Sequence, residues 1–196
     1  MEQEEVIRYF DRRLDEFGAT LGAVDWGSAA SQRARFAALA AVGALDGCRV
    51  LDVGCGLGDL CGYLEGVATR VDYHGCDLNP RMVAAAAARH PTRRFAVLDL
   101  LREDPPGGSH DYVVASGLFY LRDEAFQHAM VARMFACARR AIAFNSLSAW
   151  ADRQAPGEYY ADPGRVLECC HRLTGRVVLR HDYLPNDFTV YAYRAA

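Results

Sequence analysis

Val50-Leu51-Asp52-Val53-Gly54-Cys55-Gly56-Leu57-Gly58 is the stretch on which the reading of this chain turns. Val50 to Val53 predict a short buried strand. Gly54, Gly56 and Gly58 then predict a turn tight enough to lay backbone against a ligand, because glycine has no Cβ. The apolar stretch from Leu60 begins a helix, whose N-terminus adds unpaired N–H groups and the positive end of a dipole. A second strand-like run, Val71 to Cys76, ends at Asp77, about twenty residues on, where an acid accepts from ribose hydroxyls. Together these features predict a nucleoside-type cofactor.

Outward from this unit the alternation continues. Asn79 and Pro80 pair as N-cap and first turn of an alanine-rich helix ending near His90. Arg94 to Leu98 reads as a third strand, Tyr112 to Ser116 as a fourth, Asp123 to Arg139 as a helix and Arg140 to Asn145 as a fifth strand. Asp162-Pro163 opens a helix ending near Gly175. Arg176 to Tyr183 and Phe188 to Arg194, joined by Pro185-Asn186-Asp187, must run antiparallel. Upstream, Val6, Ile7, Phe10, Leu14 and Phe17 recur at helical spacing as one buried stripe, and Ser28 or Ser31 caps a second helix toward Leu45. The expected fold class is α/β, a mostly parallel sheet closed by one antiparallel hairpin.

Composition narrows the functions. With 196 residues, 52% of them hydrophobic, the chain is expected to be one domain, 1–196, with a helical extension over 1–47 and a cofactor-binding core over 48–196. A net charge of −3 gives no general attraction to nucleic acid or anionic membrane. All 22 basic residues are arginine, which excludes a P-loop lysine, a Schiff-base lysine and a lysine general base. Met1-Glu2-Gln3-Glu4-Glu5 lacks the order of a signal peptide, and no apolar run approaches the length of a membrane span. Seven cysteines without a C-x-x-C pair suit reduced thiols in a cytoplasmic enzyme.

Asp52, two residues before a Gly-x-Gly-x-Gly turn, resembles motif I of the class I S-adenosylmethionine-dependent methyltransferases. That donor carries an ammonium and a sulfonium but no pyrophosphate, so an acid beside the loop helps it. A nicotinamide-type oxidoreductase, the alternative, wants a glycine where Asp59 stands and an apolar residue in place of Asp52. The resemblance covers roughly residues 48–146 and continues at Asp77, at Asp99 in Phe95-Ala96-Val97-Leu98-Asp99-Leu100, and at Asp111-Tyr112-Val113-Val114-Ala115-Ser116. It implies a Rossmann-like, seven-stranded sheet with helices on both faces and the last strand beside the fifth. It also implies S-adenosyl-L-methionine as cofactor, held by Asp52, Gly54, Gly56, Gly58, Asp77 with Leu78, Asp99 with Leu100, and Ser116.

Residues 1–47 either pad the sheet or close over the cofactor. From them Trp26, Gln32 and Arg35 are candidates to reach the donor, Arg35 pairing with its carboxylate. Acceptor contacts are expected from the ends of the fourth and fifth strands and the loops above, namely Tyr120, Asn145 and an aromatic wall of the paired Tyr159 and Tyr160, with His181 as general base. No Asp/Asn-Pro-Pro-Tyr or Pro-Cys motif points to DNA bases, and no acidic pair at the fourth strand's end offers a metal site. The partner expected is a small-molecule acceptor, with no DNA, membrane or metal. A protein or RNA methyltransferase, and a non-catalytic cofactor-binding module, are the remaining alternatives.

Overall fold

The computed structural model describes residues 1–68 and 70–195; Ala196, the last residue of the expected core, lies outside the described residues. Fourteen segments of regular structure follow in order: α1 (Gln3–Phe17), a 3₁₀-helix (Leu21–Val24), α2 (Ala29–Ala40), β1 (Arg49–Val53), α3 (Asp59–Val67), β2 (Asp72–Asp77), α4 (Pro80–Arg89), β3 (Arg94–Val97), β4 (His110–Ala115), α5 (Glu124–Cys137), β5 (Ala138–Leu147), α6 (Pro163–His171), β6 (Val177–Leu184) and β7 (Asp187–Tyr193). The strands form one sheet in the order β3-β2-β1-β4-β5-β7-β6. The first five are parallel, and β7 runs antiparallel to both β5 and β6. The last strand therefore sits beside the fifth, as the resemblance implies.

Period-two alternation builds a core on each face. Leu51, Val53, Val113, Ala115, Ile142 and Phe144 join Met134 of α5 and Val166 of α6 on one side. Val50, Tyr112, Val114, Ala141 and Ala143 join Leu39 of α2 and Leu60 of α3 on the other. With both faces covered, the rim at the carboxyl ends of the parallel strands is where such a sheet takes a ligand.

Caps define the helices where the sequence places them. Asn79 Oδ1 accepts from the backbone N–H groups of Arg81 and Met82, and Asp162 does the same for Gly164 and Arg165. Ser28, not Ser31, caps α2. That helix stops at Ala40, short of the expected Leu45, and the turn after it brings Gly43 so close to Tyr112 that a Cβ would lie 2.5 Å from the phenol oxygen. α6 likewise ends at His171, short of Gly175. The stripe on α1 differs from expectation in part: none of its residues is fully buried, Phe10 and Leu14 pack on the small cluster of Ala23, Leu57 and Met82, and Val6, Ile7 and Phe10 also face a cavity. Among the described residues no helix is long and apolar enough to cross a membrane.

Candidate functional site

A cavity of about 490 Å³ opens at the carboxyl ends of the parallel strands. Its floor is the glycine turn. Gly54 and Gly56 have φ of +73° and +51°, which disfavours any side chain there. A Cβ on Gly54 would also stand 2.8 Å from Leu118 Cδ1, so that side chain would have to move. Gly58, also expected at the donor, is instead the left-handed N-cap of α3, packed against His90 and Phe95 outside the cavity lining.

Three carboxylates come off this floor. Asp52 is buried at the end of β1 and accepts from Tyr73 Oη at 2.6 Å. Burial, opposed by that bond and reinforced by the charges of Asp77 and Asp59, pushes its carboxyl up to about 7. Asp77 ends β2, accepting from the N–H groups of Gly56 and Asn79, each at 2.9 Å. Burial raises its pKa while those bonds hold it down. Asp99 accepts from Leu101 N–H at 3.0 Å and lies 3.4 Å from Arg102. Leu78 and Leu100 line the cavity next to their acids. A side-chain-free turn, Asp52 and Asp77 held by hydrogen bonds and not by a cation, and an apolar floor suit a cationic, ribose-bearing donor such as S-adenosyl-L-methionine.

The leading segment covers this floor. Trp26 and Arg35 both line the cavity, and the Arg35 guanidinium stands 4.9 Å from the Trp26 ring. Arg35 Nε donates to Asp187 Oδ2 at 2.7 Å, so its buried partner is a carboxylate of this chain. Gln32 donates to Asp59 at 3.1 Å. Asp25, a non-glycine residue with φ of +58°, accepts from Tyr9 at 2.5 Å and from Tyr120 at 3.2 Å and pairs with Arg13 at 2.8 Å. One carboxylate thus ties α1 and the 3₁₀-helix to the loop after β4.

The other wall contains Ser116, Tyr120, Asn145, Tyr160 and Asp187. Asn145 Oδ1 accepts from Gly117 N–H at 3.1 Å and Ser116 Oγ at 3.3 Å, fixing the β4 loop. Two expected residues are not brought here. Tyr159 turns away to donate to Gln127 at 3.1 Å, and its neighbour Tyr160 lines the cavity. His181 packs its ring on Phe188 and Trp150, with Nε2 2.8 Å from Ser148 Oγ, outside the lining. Asp187, Asp25 and the inner face of α1 escaped sequence reasoning. An acid directly after the hairpin turn Pro185-Asn186 was the available signal for the first.

Elsewhere Cys61, Glu65 and His90 bring ligand-type atoms within 4.8 Å of one another, but Arg93 already occupies Glu65 at 3.0 Å. All seven cysteines are free and buried.

Comparisons with known proteins agree on one family. A family model described as a methyltransferase domain matches residues 50–141. A Mycobacterium tuberculosis (strain ATCC 25618 / H37Rv) protein named as a methyltransferase is 34% identical over 165 residues, spanning 79% of this chain and 98% of that relative. Among solved structures, magnesium protoporphyrin IX methyltransferase from Synechocystis PCC 6803 with bound SAH superposes with a TM-score of 0.74 at 18% identity, covering 99% of this chain and 100% of that one. A complex of DhpI with SAM and HEP superposes with a TM-score of 0.71 at 20% identity, covering 98% and 97%. At those identities the structures speak for the fold.

Proposed function

The chain belongs to the class I S-adenosylmethionine-dependent methyltransferases, and on that premise we propose that it methylates a small-molecule acceptor held against the ends of β4, β5 and β7. The observation that carries this reading is the two-sided cavity: a donor floor of Asp52, Gly54, Gly56, Asp77 and Asp99, facing a wall of Tyr120, Asn145, Tyr160 and Asp187. Its volume suits one donor with a small acceptor.

The bound donor supplies an already activated methyl group. The chain's own work is then to orient, to exclude water and to remove a proton where the nucleophile carries one. We assign Asp77 to the ribose, Asp99 with Leu100 to the adenine, and Asp52 to the positive end of the donor's amino-acid tail. Asn145 shapes the β4 loop, and Tyr120 with Trp26 walls the acceptor. Residues 1–47 act as a lid, because the apolar side of α1 and the Asp25 knot lie over the floor and shield it from water. Seven buried free thiols suit a reducing, cytoplasmic setting. That the structures it resembles include an enzyme named for magnesium protoporphyrin IX and a complex of DhpI with SAM and HEP supports a small-molecule acceptor.

Incubation with methyl-labelled donor and a small-molecule extract should label one low-molecular-weight product; label appearing only in protein or RNA would overturn the reading. Proteolysis within 1–47 should slow when S-adenosylhomocysteine is added, and equal rates would reduce the lid to padding.

A further inference from the structure

We propose that Asp187 takes the proton the acceptor loses on methylation, with Arg35 and Tyr183 positioning its carboxylate; this rests on the small-molecule reading above. Asp187 opens β7 opposite Leu147, at the carboxyl end of β5. The strand order sets β7 three places from β1, about 14 Å from the glycine turn at ordinary strand spacing. Asp187 therefore lies on the side of the cavity away from the donor floor.

Its side chain is only 2% exposed, yet it belongs to the cavity wall. Oδ2 accepts from Arg35 Nε and Oδ1 from Tyr183 Oη. A carboxylate has about four acceptor positions, so about half remain for an incoming O–H or N–H. The other candidates are spent, misplaced or less enclosed. Asp25 already serves Tyr9, Arg13 and Tyr120, Glu158 is a half-buried loop residue held by Tyr160 at 2.6 Å, and His181 lies outside the cavity. The charged and titratable groups facing Asp187 are Arg35 from α2 and Tyr183 and His181 from β6. Burial lifts the carboxyl to about 6 against all three, in the range where a general base works at neutral pH.

The step balances. The acceptor's lone pair forms the new bond to the methyl carbon, the carbon–sulfur pair stays on sulfur, and the acceptor's proton passes to Asp187 and then to water. Arg35 keeps the carboxylate charged before the step, and Tyr183, itself fixed by Thr189 Oγ1 at 2.7 Å, aims it.

The test uses methyl-labelled donor with a phenol, an aniline and an imidazole as probes that arrive carrying a proton. On the fastest probe, Asp187→Asn should lower kcat about 10²–10⁴-fold and remove the rise of rate with pH on the acid side. S-adenosylhomocysteine binding, measured by calorimetry, should not change. Tyr183→Phe removes one bond to the charged carboxylate, so the acid limb should move to higher pH. The Asp187 titration followed by carboxyl NMR should move with it. Should Asp187→Asn not fold, Tyr183→Phe carries the test alone. Full turnover in Asp187→Asn, or an acid limb that stays put while the NMR titration moves, overturns the proposal. Wild-type protein that binds donor but methylates neither the probes nor anything in an extract overturns the small-molecule reading, and the proposal with it.

Discussion

The two ends of the sheet bury titratable groups in opposite senses. At the carboxyl ends of the strands, burial lifts Asp52 to about 7 and Asp187 to about 6. Toward the amino ends, burial depresses His74 and brings His110 down to about 4. Both ends resist charge for the same reason, the loss of water. They differ in what surrounds the groups. The carboxylates look onto a cavity. The two imidazoles sit 2.9 Å apart and close on themselves, with Asp72 and Arg94 each 3.2 Å from His74 on the outer side. A perturbed group therefore marks a site only where space and converging donors accompany it.

The largest effect should come from cutting the buried ion pair at the cavity end. Arg35→Ala leaves Asp187 without its cation, and the loss of stability should be about 3–5 kcal/mol by chemical denaturation at about pH 8. The loss should shrink near pH 5, where the carboxyl takes a proton in the native state. An equal loss at both pH values would mean that the lost packing of Arg35, not the stranded charge, is responsible.

Asp77→Ala comes next. It removes the acid that fixes Gly56 and Asn79. Affinity for S-adenosylhomocysteine should fall by roughly 1.5–3 kcal/mol in calorimetry. An unchanged constant would remove Asp77 from the donor site.

The smallest effects are slopes, and they set the two ends directly against each other. Asp52 has a folded pKa above its unfolded one, so the native state binds the extra proton between about pH 4 and 7, and stability falls as pH rises. Asp52→Asn should flatten that fall, by at most roughly 1.4 kcal/mol per pH unit. His110 has a folded pKa below its unfolded one, so the unfolded state binds the extra proton between about pH 6.5 and 4, and stability falls as pH drops. His110→Gln should remove that loss, again by at most roughly 1.4 kcal/mol per pH unit. Denaturation curves across this range should therefore tilt in opposite directions in the two variants. A common tilt would break the contrast between the ends.

The same contrast explains what could be read before the structure. The donor floor was legible because its pieces are short-range: a strand, three glycines and an acid at the end of the next strand, all dictated by backbone geometry. Asn79 and Asp162 were legible as caps for the same reason. The acceptor wall is assembled from side chains far apart in sequence, Arg35 and Asp187 being separated by 152 residues. Parity decided the rest. Tyr159 and Tyr160 are neighbours in an irregular loop, and which of the two faces the cavity depends on the pairing of Tyr159 N–H with the Tyr120 carbonyl. His181 has a strand position compatible with a base, but its ring is taken by Phe188, Trp150 and Ser148. The apolar stripe of α1 had the right period for burial, and nothing in a period says whether the partner is a core or a cavity.

The position of β7 also imposes an order on synthesis. Because this strand is inserted between β5 and β6, the edge of β5 carrying Ile142 and Phe144 has no partner until Asp187–Tyr193, the strand made after β6, has been synthesised. Contacts of such long sequence separation are slow to form, and an unpaired apolar edge invites pairing with other chains in the meantime. Asp187 arrives with that same strand. Completing the sheet, pairing Arg35 and delivering the buried carboxylate are thus one event, so until β7 is made the donor-side glycines and acids exist without the Asp187 side of the acceptor wall.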